Sequence, residues 1–288
     1  MRYRLFGLTL ESEIALGISP RPAAQGVPRI RIERGRVLPT ARELPRTLEI
    51  HPQSYGACLS LPGFGFARFV ERTRCLKIDT PAQMNSEDRQ SVILSQAVPF
   101  ALSYLGEILL HASAITDGHR AVIFLGPKGQ GKSTLAARAV SDRFQLLSDD
   151  TVRVDVRSRQ VRVHPAFPEI RMFARDVRAR WTNVRTRGAF SKVRVDLSSR
   201  FCEHAVPLRA AYLVRGGRRR AGIGGVLSGA AAFAAWASNT LVCVSPSRSR
   251  ETSRFRRLSR LADLCAVRPL DVVHKRDAAL NWSELFEV

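Results

Sequence analysis

Acidic residues are in short supply in this chain. Of its 288 residues only 25 are Asp or Glu, against 46 Lys or Arg, which leaves a formal charge of +21. An excess of that size implies attraction to something anionic, whether nucleotide, nucleic acid, acidic protein or membrane surface, and does not choose among them. Arginine supplies most of it, as the compositional bias of a GC-rich genome would also do. Cysteine is sparse as well. Cys58, Cys75, Cys202, Cys243 and Cys265 form no C-x-x-C pair, so neither a disulfide framework nor a zinc site is expected, and a reducing, cytoplasmic setting fits best. Long apolar runs are missing. Ala230 to Trp236 is far too short to cross a bilayer, and Glu11 and Glu13 interrupt the basic start before it could make a secretory signal. There is no zinc-finger spacing, RNA-binding aromatic motif or convincing repeat. The hydrophobic fraction is an ordinary 45%, enough for a full core in one large domain or two smaller ones.

The chain changes character near residue 87. Before it come short strand candidates: Tyr3 to Leu10, Pro28 to Ile32, Leu48 to Ile50, Ala57 to Leu61, Gly65 to Val70 and Cys75 to Ile78. Turn signals such as Pro62-Gly63 separate them. Residues 1–86 therefore read as a β-rich N-terminal domain whose job is packing, dimerisation or partner recognition. From Glu87 to Leu110 the apolar positions fall at helical steps, with Pro99 kinking or splitting the run. Residues 87–288 are expected to form the second domain.

The most informative stretch is Gly126-Pro127-Lys128-Gly129-Gln130-Gly131-Lys132-Ser133-Thr134, which matches G-x-x-x-x-G-K-[ST] at every fixed position. It follows an apolar strand, Arg120 to Leu125, and precedes a helix start at Leu135, the context that gives this motif meaning. Glycines there let backbone N–H groups curl around phosphate oxygens, and a helix N-terminus adds its dipole. Lys132 would reach the outer phosphates and Ser133 would hold Mg²⁺. The competing reading is a plain glycine-rich turn, which leaves the lysine and hydroxyl unexplained. Before the motif, Leu109 to Ile115 reads as a buried strand containing His111, which either faces the phosphates or is a satisfied core histidine. Thr116-Asp117-Gly118-His119 is its hairpin turn. After it, Phe144 to Ser148 is a strand that ends in Asp149-Asp150, where an open α/β sheet places its ligands. One acid would organise Mg²⁺ and the other take a proton from an attacking hydroxyl. An ordinary Asp-Asp turn is the alternative.

Farther on, Pro165 to Arg171 is a shaped loop in which Glu169 and Arg171 could face the phosphates, and Lys192 is either solvated or reaches a phosphate. Ala174 to Ala189 is basic and reads as a loop over the site. Phe255 to Cys265 is helical, with arginines on its other face.

His111 within Leu110–Ala114, the loop Gly126–Thr134 and Leu146–Asp150 together resemble the HPr kinase/phosphorylase family and its relatives, which include kinases associated with lasso-peptide biosynthesis. The resemblance covers most of residues 100 to 215. It implies an α/β fold with a P-loop, phosphoenolpyruvate-carboxykinase-like kinase core and mixed sheets. It also implies ATP and Mg²⁺ as cofactors, Asp149 as the base acting on a serine, and His111 as an active-site residue. Asp150 is implied in Mg²⁺ organisation or site structure, alongside Lys132 and Ser133 at the phosphate- and metal-binding positions. Thr134 stands where the family usually has Glu, and the segment tied to the reverse phosphorylase activity is not recognisable.

The expectation is thus an ATP- and Mg²⁺-dependent kinase acting on a hydroxyl of a peptide or protein, a lasso precursor peptide being one candidate. Catalysis would fall to His111, Lys132, Asp149 and Asp150, nucleotide binding to Gly126 through Thr134, and metal binding to Ser133, Asp149 and Asp150. A homo-oligomer is expected, without nucleic acid as partner. Two alternatives stay open, a nucleotide-binding regulator or scaffold with weak hydrolysis and a small-molecule kinase.

Overall fold

The computed structural model describes residues 1–22, 26–37, 44–53, 56–157, 159–174, 177, 184–185, 192–217, 220–242, 247–273 and 280–287. Most of the basic stretch 174–189, together with Cys243, lies outside them. The chain divides into two compact units, one of residues 1–107 with 242–253, the other of residues 108–241 with 254–288.

The first unit holds a seven-stranded sheet. Its strands are β1 (Arg2–Leu5), β2 (Leu8–Ser12), β3 (Arg29–Arg34), β4 (Ile50–Gln53), β5 (Gly56–Leu61), β6 (Gly65–Val70) and β7 (Cys75–Asp79), in spatial order β1-β2-β3-β7-β6-β5-β4. The strand expected at Pro28 to Ile32 forms as β3, with Ile30 and Ile32 buried while Arg29 and Arg31 face out, as the two-residue side-chain period requires. Two helices follow, α1 (Ser86–Val92) and α2 (Val98–Tyr104), with a π-helical turn, Ile93–Ala97, between them. Asn85 caps α1 by accepting the Asp88 N–H at 2.8 Å. The run is not split at Pro99: Val92, Ile93, Ala97 and Val98 all keep right-handed helical dihedrals, and Pro99 follows the π-helical turn in the first turn of α2. These helices belong to the first unit, so the division falls after Glu107 and not near residue 87. Burial decides this, since Tyr104 meets Phe69 of β6 edge to face, with centroids 5.7 Å apart. Residues 242–253 join the same unit through Arg250, which pairs with Glu71 and lies over the Tyr104 ring.

The second unit is a mixed α/β structure. Its strands begin with β8 (Ile108–Leu110), β9 (Ser113–Thr116) and β10 (Ala121–Leu125), and helix α3 (Lys132–Asp142) follows. Next come β11 (Gln145–Ser148), the hairpin β12 (Val152–Arg157) and β13 (Gln160–His164), then β14 (Glu169–Met172), β15 (Val184–Arg185), β16 (Val193–Asp196), β17 (Val206–Arg215) and β18 (Gly222–Ile223). Helix α4 (Gly229–Ser238), helix α5 (Arg248–Leu264), whose residues 248–253 count with the first unit, β19 (Val267–Asp271) and α6 (Glu284–Glu287) follow. Nine strands form one sheet along the path β11-β9-β10-β17-β13-β12-β8, with β19 paired to β17 and β18 to β19. β14, β16 and β15 form a small separate sheet.

Strand β10 shows why this sheet sits between two cores. All five of its side chains are buried, but Ala121, Ile123 and Leu125 join one cluster with Trp236 of α4 and Leu261 of α5, while Val122 and Phe124 join the other with Leu135 of α3 and Ile170 of β14. A continuous apolar run is what a strand covered on both faces needs. The histidine expected inside one strand lies at a break: β8 ends at Leu110 and pairs with β12, β9 starts at Ser113 and pairs with β10 and β11, and His111 is at the bend between them.

Candidate active site

The turn between β10 and α3 is held at two points. Asn239, at the end of α4, accepts the Gly126 N–H on its Oδ1 at 2.8 Å, and Gln130 accepts the Gly216 N–H at 2.7 Å. Gly126 has φ of 135°, and a Cβ there would lie 3.0 Å from the Val214 carbonyl oxygen, so a side chain is excluded on both counts. Gly129 and Gly131 also have positive φ, 90° and 91°, but their missing Cβ positions meet nothing within 4 Å. The inside of the turn is open, and α3 begins immediately after it at Lys132.

Lys132 is 7% exposed and folds back on the turn, with Nζ donating to the Gly126 carbonyl at 2.7 Å and the Pro127 carbonyl at 3.1 Å. Burial holds its pKa below the ordinary lysine value, against the pull of Asp149 and Asp150, and the charge of Lys192 adds to the lowering.

Two adjacent carboxylates close the end of β11 in unlike settings. Asp149 is 3% exposed. It accepts the Ser113 hydroxyl at 2.5 Å, the Arg171 N–H at 3.0 Å and a hydrogen bond from Ser133, the residue after Lys132. Burial nevertheless raises its pKa above the usual carboxylate value, with these hydrogen bonds working the other way. Asp150 turns outward. Its φ is 70°, a left-handed conformation that Asp tolerates better than most residues and that clusters at functional sites. The turn is locked around it by the Ser148 hydroxyl on the Thr151 carbonyl and by the Thr151 N–H on the Asp149 carbonyl at 2.8 Å. Its Oδ1 stands 3.5 Å from His111 Nδ1, and the ring is also hydrogen-bonded to the Asp150 main chain. Burial first, then the charge of Lys132, lowers the His111 pKa, so the ring is neutral at neutral pH.

Lys132, Asp150 and His111 share one cavity of about 670 Å³, within the range of ligand sites. The turn from Lys128 to Thr134 lines one side, and His111, Ser113, Asp150, Arg171, Phe173 and Lys192 line others. Lys128, Lys132, Arg138, Arg171 and Lys192 bring five positive charges to a lining in which, among the described residues, Asp150 is the one carboxylate. Three of the five lysines in the whole chain are here. The basic excess that composition left undirected has, in part, an address.

No protein-family model matches the chain, and no curated protein does. Among solved structures the chain is similar to an HPr(Ser) kinase/phosphatase from Coxiella burnetii, at 10% identity over 58% of this chain and 86% of that one, with a TM-score of 0.32. A likeness of this size assigns no residue roles; those come from the side chains around the cavity.

Of the site residues read from sequence, His111, Asp150 and Lys128 to Thr134 line the cavity. Gly126 and Pro127 do not, their carbonyls being turned to Lys132. Asp149 does not line it either, although it was the residue expected to take a proton. Arg171 and Lys192 face the cavity, with Lys192 over the Phe173 ring at 5.4 Å. Glu169 is not in the lining and stands 3.9 Å from Arg194. Sequence reasoning missed Ser113, which lies mid-motif as an ordinary strand residue, and Asn239, which reads only as a helix end. No local pattern announces a hydrogen bond to a residue 113 positions earlier.

Among the described residues no three His, Cys, Asp or Glu side chains gather as a cation cage. The donors near the turn are the Ser133 hydroxyl and two carboxylates. Mg²⁺ fits such a set, since it keeps several waters and takes one or two carboxylates plus substrate phosphates.

Proposed function

We propose that this chain transfers the terminal phosphoryl group of ATP to a hydroxyl of a peptide or protein. The observation that carries the reading is that a glycine turn opening into a helix, five cations and a solvent-facing Asp–His pair share one cavity. In this reading the core is of the P-loop, carboxykinase-like kind. The turn amides from Lys128 to Ser133 cradle the phosphate chain. Lys132 leaves the carbonyls it now contacts and turns to the outer phosphates, whose charge is a better partner than two neutral dipoles. Ser133 and Asp150, which both line the cavity, would hold Mg²⁺, which would supply charge neutralisation for the phosphates, and the buried Asp149 expected to share that role would act only through Ser133.

The acceptor enters on the Asp150 side. Its oxygen bonds to the γ-phosphorus as the bond from phosphorus to the ADP oxygen breaks, and its proton passes to the Asp150 carboxylate. Neutral His111 orients that carboxylate. Asp149 suits this step less well, because it is buried and its oxygens are already engaged by three donors. The proton-accepting role expected of Asp149 therefore moves to Asp150, and Asp149 becomes the residue that fixes Ser133.

The test is transfer of labelled γ-phosphate to candidate peptides and proteins, with mass spectrometry of the product. A phosphorylated hydroxyl is the expected result. ATP turnover that labels no acceptor would favour the nucleotide-binding regulator instead.

A further inference from the structure

We infer that Asn239 is a positioning residue for the nucleotide, acting through the first glycine of the turn. The inference rests on the phosphoryl-transfer reading and adds a residue to it. Asn239 is 7% exposed, and each of its polar groups is used. Its Nδ2 donates to the Ala235 carbonyl at 2.8 Å, which fixes the side chain against its own helix. Its Oδ1 then has one direction available and takes the Gly126 N–H at 2.8 Å. Its main-chain carbonyl accepts the His111 N–H at 2.7 Å. One residue outside the motif thus holds both the entry of the turn and the bend that carries His111.

The consequence for ligand binding follows from the Gly126 peptide. Its N–H is held by Asn239 and its carbonyl faces Lys132 Nζ at 2.7 Å. Gly126 has no side chain to anchor it and occupies a region of φ open in practice only to glycine. Without the Asn239 acceptor its buried N–H is unsatisfied, and the turn can relieve that only by rotating the peptide. The N–H lies in the Leu125–Gly126 peptide, so rotating it changes φ of Gly126 and with it the direction of the following peptide, whose carbonyl parks Lys132, and of the amides beyond. Asn239 therefore sets nucleotide affinity and not merely the end of α4.

Thr240 supplies the control. Its hydroxyl donates to the Trp236 carbonyl at 2.9 Å, so it caps the same helix end without touching Gly126. Asn239→Leu and Thr240→Val are compared by thermal melting, by calorimetric titration with Mg²⁺·ATP, and by KM for ATP against kcat. Asn239→Leu should weaken Mg²⁺·ATP binding and raise KM about tenfold, while Thr240→Val lowers the melting temperature and leaves both constants within about twofold. If Asn239→Leu does not fold, Asn239→Ser, too short to reach Gly126, should show the same loss of affinity. Wild-type affinity in these Asn239 variants, or an equal loss in Thr240→Val, would overturn the positioning role alone. A wild-type chain that binds no Mg²⁺·ATP would overturn the phosphoryl-transfer reading and this role with it.

Discussion

The end of β11 and the hairpin β12–β13 lie next to each other in sequence and treat their aspartates in opposite ways. In the hairpin, Asp155 is flanked by His164, whose Nε2 stands 3.8 Å away at ion-pair range, and by the Arg157 Nε at 2.7 Å; together they bring its pKa down to about 2. There the fold favours the charge it carries. At the end of β11, burial raises the Asp149 pKa although three donors surround it, and Asp150 is held in a left-handed backbone conformation. There the fold holds groups it would otherwise place differently. Local cost of this kind, next to a region that shows none, is the usual mark of a working site.

The sharpest way to break the comparison is Asp150→Asn. If the outward acid takes the proton, kcat should fall by about 10² to 10⁴, with calorimetric ATP affinity little changed. An equal loss from Asp155→Asn would show that neither aspartate is special.

Stability should reverse the ranking. Asp155→Asn removes a favoured charge and should cost about 2 kcal/mol at neutral pH, with transfer unaffected. Because the folded pKa of Asp155 is depressed, its contribution is present above the ordinary carboxylate pKa and is lost as pH falls toward about 2. The gap between wild type and variant in denaturant melts should close over that window. Asp149→Asn should do the opposite and stabilise the nucleotide-free protein by about 1 kcal/mol at neutral pH. Its folded pKa is raised, so stability is lost as pH rises from the ordinary carboxylate value through the raised one, and the full cost stands above it. Asn mimics the neutral acid, with Oδ1 free to accept from Arg171 and Nδ2 to donate to Ser113. A destabilised Asp149→Asn protein would mean that the three hydrogen bonds outweigh burial.

Much of this contrast was legible in the residues. The G-x-x-x-x-G-K-S pattern, its strand and helix and the paired acids are local signals, and the structure puts each in its expected secondary structure. What was not legible depends on which of two neighbours turns inward. Sequence shows Asp149-Asp150 as a pair; only the left-handed turn at Asp150 and the burial of Asp149 tell them apart. The position of His111 was misread for a related reason. Leu109 to Ile115 is apolar enough for one strand, but its two halves pair with different partners, and pairing is a long-range property that a run of apolar residues does not record. The helices before β8 were assigned to the second domain because helical spacing says nothing about which core the apolar face covers.

The smallest expected effect concerns His111, and it sharpens the comparison from the side of the base. Burial and Lys132 hold its folded pKa below the ordinary histidine value, against the opposing pull of Asp150. The unfolded chain therefore binds more protons than the folded one once pH falls below about 6.5. Stability should decline from that pH downward, until the folded ring is protonated too, and His111→Gln should flatten this part of the profile. Transfer should fall at the lower end of that range, where the folded ring takes its proton, because a protonated His111 pairs with Asp150 and makes that carboxylate a weaker base. A His111→Gln protein whose transfer rate keeps the wild-type pH dependence would separate the two residues and leave Asp150 to act alone.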